Sequence, residues 1–289
     1  ALTGSFDIFQ RDTKDMLGPG LDFPDMFGAS APQTNNARMR NRGWELSLNW
    51  RGKIGNDINY SVGGSLSDAT AEVTEYANPT GTNPAGNWYV GRKVGEIWGY
   101  RAEGIIQTQA EADEYNKYDL SYLSGKAWEP GDVKYVDLNG DKAINRGKNT
   151  LEDMGDMTII GNTTPRYQYT FNGSISYKDL SLSMMFQGVA KRDWNPGTAP
   201  YFWGSGAYAQ VTVFNEHMDY WREDNPGAYY PKPYIHSAGG VGPFRNKTMQ
   251  TSDRYLQSGA YCRLKNITLS YNLPSTWVNK VGLQKVQVF

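Results

Sequence analysis

Cysteine is nearly missing from this chain: Cys262 is the single one in 289 residues, so no internal disulfide can form. With only two histidines there is no zinc constellation either. No apolar run approaches the roughly eighteen residues of a membrane-crossing helix, which excludes a helical membrane protein. Lys and Arg number 29 against 30 Asp and Glu, a net charge of -1, and the basic residues do not cluster. No nucleic-acid partner is expected from such a balance. GxSxG, P-loop, HExxH and GxGxxG motifs are all lacking. Carboxylate pairs such as Glu72 with Glu75, or Asp153 with Asp156, sit in unpatterned stretches, so no enzyme is expected.

What is present is aromatic and glycine-rich. Hydrophobic residues are only 39%, yet aromatics reach 13%, with Tyr 20, Trp 9 and Gly 32. These are strand and turn formers. The stretch from Pro165 to Gly188 shows the architecture twice. Tyr167, Tyr169, Phe171, Gly173, Ile175 and Tyr177 form one row, and Gln168, Thr170, Asn172, Ser174 and Ser176 the other. A period of two is that of a strand with one apolar face and one polar face. Lys178 and Asp179 make a minimal turn, and Leu180, Leu182, Met184 and Phe186 repeat the apolar row, so the unit is a hairpin.

Length and aromatic placement favour a transmembrane β-barrel over a soluble sandwich. The strand from Arg166 to Tyr177 has about twelve residues, enough for the nine to eleven or so that cross a bilayer at a tilt. Tyr167 and Tyr177 lie ten positions apart, which with tilt spans about 25 Å, the height of an apolar band between two aromatic girdles. The same spacing separates Tyr261 from Tyr271, with Ile267, Leu269, Tyr271 and Leu273 as the apolar row of a strand over 261–273. Further strands are read at 1–11, 44–51 (Trp44, Leu46, Leu48 and Trp50 against Glu45, Ser47, Asn49 and Arg51), 58–66 and 285–289. About seven strands result, with short links on one side and long loops at about 12–42, 67–164 and 189–260 on the other. Seven strands leave two open edges, which hydrocarbon does not tolerate, and the chain starts and stops inside strand patterns; it reads as part of something longer.

The long loops carry the chemistry. Thr108 with Glu111 makes a capping box for a short helix to about Lys117. Asp137, Asn139 and Asp141 in DLNGD place oxygens at alternate positions, as a calcium loop does, with Asp153 among the carboxylates that would complete the shell; Lys142 stands where that pattern wants Gly. The other reading is an Asx-rich turn that satisfies its own backbone. Val213, His217 and Trp221 sit at helical spacing, and His217 is expected to be structural. Trp194, Tyr201, Trp203, Tyr229 and Tyr230 are candidates for stacking on a sugar ring, against the plainer role of packing the loops together.

The segments NRGWELSLNW (Asn41 to Trp50), GEIWGYRAEGI (Gly95 to Ile105), PGDVKYVDLNGD (Pro130 to Asp141), IIGNTTPRYQYTFNGS (Ile159 to Ser174), FQGVAKRDW (Phe186 to Trp194), YWREDNPGAYYP (Tyr220 to Pro231) and YCRLKNITLSYNLP (Tyr261 to Pro274), in this order, resemble the SusC/RagA-type TonB-dependent outer-membrane transporters. The resemblance covers essentially the whole chain. It implies the C-terminal part of a 22-stranded barrel, its plug and N-terminal domains lying outside this sequence. It also implies a SusD-like surface lipoprotein as partner, TonB reached through the N-terminal part, and import of oligosaccharides or peptides across the outer membrane. The alternative is a soluble secreted all-β domain that binds or cleaves glycans.

Overall fold

The computed structural model describes residues 1–17, 26, 28, 35–78, 80–124, 126–197, 199–203, 213–234 and 247–289. Its frame is a seven-stranded antiparallel sheet: β1 (Leu2–Leu17), β2 (Asn35–Ile54), β3 (Ile58–Glu75), β8 (Arg166–Tyr177), β9 (Leu180–Lys191), β12 (Tyr261–Asn272) and β13 (Gln287–Val288), each beside the next. Short strands fill the intervals: β4 (Glu96–Tyr100), β5 (Ala102–Ile105), β6 (Val133–Tyr135), β7 (Met157–Asn162), β10 (Asp193–Trp194) and β11 (Gln257–Ser258). Helix α1 (Gln109–Tyr115) starts where the capping box places it: Thr108 Oγ1 accepts from the Glu111 N–H at 3.2 Å, and the Glu111 carboxylate accepts from the Gln107 N–H at 2.8 Å.

Pairing carries the two-row pattern across the sheet. Leu2, Trp50, Val62, Gly173, Met184 and Ile267 stand side by side. So do Leu48, Gly64, Phe171, Phe186 and Leu264, and Tyr60, Ile175, Leu182 and Leu269. On the other face Ser5, Ser47, Ser65, Thr170, Gln187 and Arg263 form a row, with the Ser5 and Ser47 hydroxyls bonded at 2.9 Å and those of Ser65 and Thr170 at 2.6 Å. Arg51, Ser61, Ser174, Ser183 and Thr268 form another, and Met185 interrupts the polar face. Among the described residues no second sheet covers the apolar face: Phe171, Ile267 and Leu269 are exposed. A two-layer sandwich, the fold of the soluble alternative, is therefore not the architecture.

Three expectations need correction. The strands run further than read: β1 and β2 stay paired as far as Leu17 and Asn35, β3 reaches Glu75 and β9 reaches Lys191. Alternation marks only the part with one wet face and one apolar face, and backbone pairing continues past it through Arg38, Arg40, Arg42 and their partners. Second, Tyr261 does not share a face with Tyr271. Lys265 is an extra residue between the pairs Leu264 with Phe186 and Asn266 with Met185. This bulge shifts the side-chain parity, so Tyr261 and Arg263 join the polar face and Leu264 the apolar one. The Arg263 guanidinium then lies over the Tyr261 ring at 4.3 Å. Third, the helix expected around His217 is one 3-10 turn, Asn215–Met218. Trp221 falls outside it, buried with Ile105 and Ala228.

The long connections have their own core. Tyr100, Ile106, Tyr115, Trp128, Val133, Tyr135 and Ile144 from the first pack with Trp203, Met249 and Tyr255 from the second. The Tyr100 N–H donates to the Thr251 carbonyl at 2.8 Å and the Ala102 N–H to the Asp253 carboxylate at 2.9 Å, stitching the two together.

The apolar face predicts its own mutational asymmetry. Ile267→Arg should cost about 2 to 4 kcal/mol in a bilayer, the penalty of a charge near the mid-plane of a barrel's outer face, while Ser174→Arg on the other face should lie near zero. Urea unfolding in vesicles of the barrel carrying this chain measures both.

Candidate functional site

At the loop end of the sheet, the candidate aromatic residues converge on a residue the sequence reading passed over. Phe202, in the single helical turn Pro200–Trp203, has its ring centroid 6.5 Å from Trp194, 5.0 Å from Trp203, 6.4 Å from Tyr229, 5.7 Å from Tyr230 and 6.3 Å from Tyr255. Most of these contacts are edge-to-face, the arrangement ring quadrupoles favour. Tyr255 was missed too; it supports Trp203 at 4.6 Å and Tyr229 at 5.6 Å. The usable local signal was the run PYFW beside a second aromatic group, YY at 229–230.

The five candidates do not play one role. Trp203 is only 7% exposed and its indole N–H donates to the Gly197 carbonyl at 2.7 Å, so it is a packing residue. Tyr230 is half-buried against it. Trp194, Tyr201 and Tyr229 are exposed, Tyr201 at 61%. Trp194 and Tyr201 lie nearly parallel, 15° apart with centroids at 6.2 Å. Together they offer a ring surface to solvent, with the half-buried Phe202 behind Trp194. The Tyr229 hydroxyl accepts from the Gln257 amide at 2.7 Å, placing polar groups at its edge. His217 is structural: one ring nitrogen accepts from the Phe214 N–H at 3.1 Å and the other faces the Tyr201 carbonyl at 3.1 Å.

The same loops hold a buried ion pair that sequence reading also missed. The Lys247 ammonium sits 2.6 Å from the Asp132 carboxylate, both side chains at 0% exposure. Lys247 also donates to the Ala127 carbonyl at 2.7 Å and lies over the rings of Trp128 and Tyr234. Asp132 further accepts from the Tyr234 hydroxyl and from the Glu129 N–H at 2.8 Å. Burial pushes the Asp132 carboxyl above the usual carboxylate range, against the pull of Lys247 and Tyr234. Burial, then the neighbouring Asp132 charge, raise the Tyr234 phenol. Asp132 and Lys247 belong to different loops, which they tie together.

Of the expected calcium residues, Asp137, Asn139 and Asp141 occupy one turn and Asp153 another. Asp137 accepts from the Gly140 N–H at 2.6 Å and the Lys142 N–H at 2.9 Å, Asn139 from the Asp141 N–H at 3.0 Å, and Asp141 from the Ala143 N–H at 2.8 Å. Asp153 accepts from the Gly155 N–H at 3.3 Å, within its own tight turn. Asp156, buried, holds both ends of this region through the Leu138 and Asn145 N–H groups, each at 2.8 Å, and burial raises its carboxyl pKa. Among the described residues no three His, Cys, Asp or Glu side chains converge in a way that could hold a metal ion.

The ion pair yields a stability test. Lys247→Met leaves Asp132 buried without its cation and should cost about 3 to 5 kcal/mol, whereas Asp132→Leu with Lys247→Met should recover most of it. In the single variant Asp132 binds its proton more tightly folded than unfolded. The folded loops are then most stable at acid pH and lose stability as pH rises above the ordinary carboxylate range near 4. Protease nicking of the loops against pH reads both effects.

No family model matches the chain. The chain is 26% identical over 298 residues to TonB-dependent receptor P3 of Formosa agariphila, covering 99% of this chain and 27% of that receptor. With TonB-dependent receptor P26 of the same organism it shares 25% identity, over 97% of this chain and 26% of the relative. It therefore spans about a quarter of the length of the relatives it matches. Among solved structures, the RagAB peptide transporter superposes with a TM-score of 0.65 at 19% identity, over 99% of this chain and 28% of that one. The 'open-open' RagAB peptide importer gives 0.63 at 21%. The chain is thus similar in sequence to TonB-dependent receptors, and its fold is that of a segment of a RagA-type outer-membrane barrel.

Proposed function

We propose that this chain forms part of the barrel wall and the outer loops of a TonB-dependent nutrient importer in the cell outer membrane, and that it is not an enzyme. The observation that carries this reading is the separation of the two faces across the sheet, from β1 to β12. A continuous apolar face suits hydrocarbon, and a face of hydroxyls, amides and charges suits a water-filled interior. Similarity to TonB-dependent receptors supports energy transfer from TonB, which this chain would receive through parts of the protein beyond it. The loops with their own core would stand on the extracellular side, where a SusD-like lipoprotein would cover them. Both oligosaccharides and peptides present faces that stack on rings, and the exposed pair Trp194 and Tyr201 suits either.

Ligand contact at the aromatic surface separates the exposed from the buried rings. Trp194→Ala and Tyr201→Ala should each weaken binding by about three- to tenfold, the value of one stacking contact of roughly 0.5 to 1.5 kcal/mol, without changing protease resistance of the loops. Trp203→Ala should loosen the loops themselves. Calorimetry of the intact importer against oligosaccharide and peptide mixtures measures the first effect and names the substrate class; unchanged affinity in both exposed variants would remove these residues from the ligand site.

A calcium ion on Asp137, Asn139 and Asp141, with Asp153 brought to it from its separate turn, is a further proposal, supported by the alternate side-chain oxygens of the first three. It predicts that calcium raises the thermal stability of the loops and that Asp137→Ala abolishes the rise.

A further inference from the structure

The link between β12 and β13 exposes side chains that a short solvent turn does not need. After Pro274 it forms one helical turn, Ser275–Val278, continued by a 3-10 turn, Asn279–Val281, and closed by Gly282 at φ 75°. Trp277 and Val281, four positions apart and so on one face of these turns, are 64% and 71% exposed, and Leu283 is exposed as well. Val278 is buried and its carbonyl accepts from the Leu283 N–H at 3.1 Å, so the turn is folded and not a loose loop.

The apolar face of the sheet leads directly into this turn. Its last full row is Ile54, Ile58, Tyr177, Leu180, Tyr271 and Val288. Below it the Leu273 N–H donates to the Val286 carbonyl at 2.9 Å, adding one more apolar pair, and the turn follows. The other links at this end carry no such group: Gly55–Asp57 and Lys178–Asp179 are glycine and polar residues. Lys280 and Lys285 are exposed among the apolar side chains. An apolar patch with an indole and flanking amines, continuous with a lipid-facing band, has the composition of a segment lying at a membrane interface.

We propose that the turn 274–286 is an interfacial lipid anchor, with Trp277, Val281 and Leu283 at the acyl boundary and Lys280 and Lys285 among headgroup phosphates. This rests on the outer-membrane barrel reading, and the experiment separates the two. In the intact importer with Cys262→Ser, reconstituted in phosphatidylethanolamine and phosphatidylglycerol vesicles, nitroxide labels are placed at Trp277→Cys, Val281→Cys, Leu269→Cys and Asp179→Cys. Collision with molecular oxygen is compared with collision with a water-soluble nickel chelate. The anchor predicts oxygen-to-nickel ratios at positions 277 and 281 several-fold above that at 179 and below that at 269. Ratios equal to that at 179 would place the turn in water, and protection from both reagents would place it under other parts of the protein; either overturns the anchor. A low ratio at 269 itself would overturn the barrel reading instead.

Discussion

Every backbone N–H and C=O in hydrocarbon must find its partner within the protein, and between neighbouring strands from β1 to β13 the sheet ladder supplies it. That requirement forces neighbouring strands into strict register, and register couples the faces: a slip of one residue would turn a whole row of hydroxyls towards lipid. The consequence is visible from β1 to β12, where apolar rows and rows of Ser, Asn and Thr keep to opposite faces through the middle of the sheet, Met185 being an interruption of the polar face. At Arg263 and Lys265, where unbroken parity with Ile267 would put two charges on the apolar face, the ladder inserts a bulge.

Above the sheet the problem reverses. Long loops carry their own unpaired backbone and cannot rest on an apolar layer below, so they build a core from aromatic residues and a buried charge pair. Tyr201 stacks on Trp194, which meets the edge of Phe202, itself packed on Tyr255, and Asp132 with Lys247 joins one loop to the other. Were a ligand to dock on these rings, as proposed, a surface of large rings held on packed neighbours would lose little side-chain entropy.

Much of this was legible in the residues. Strand hairpins, the short turn at Lys178, the cap at Thr108 and the asymmetry of link lengths all follow from neighbours within a few positions. The candidate rings were legible as a set but not in their roles, because Trp203 and Tyr201 stand two positions apart with the same chemistry and only packing makes one a support and the other a surface. The extent of β1, β2 and β3 was misread for a related reason: outside the apolar band both faces are polar, and alternation fades while pairing continues.

By itself the sequence determined the period-two faces, since that pattern is local and records which solvent each side chain meets. Tertiary structure alone decided the bulge at Lys265, the meeting of Asp132 with Lys247 and the gathering of rings around Phe202. These depend on which distant strand or loop lies alongside, and contacts between residues so far apart leave no periodic trace in the chain.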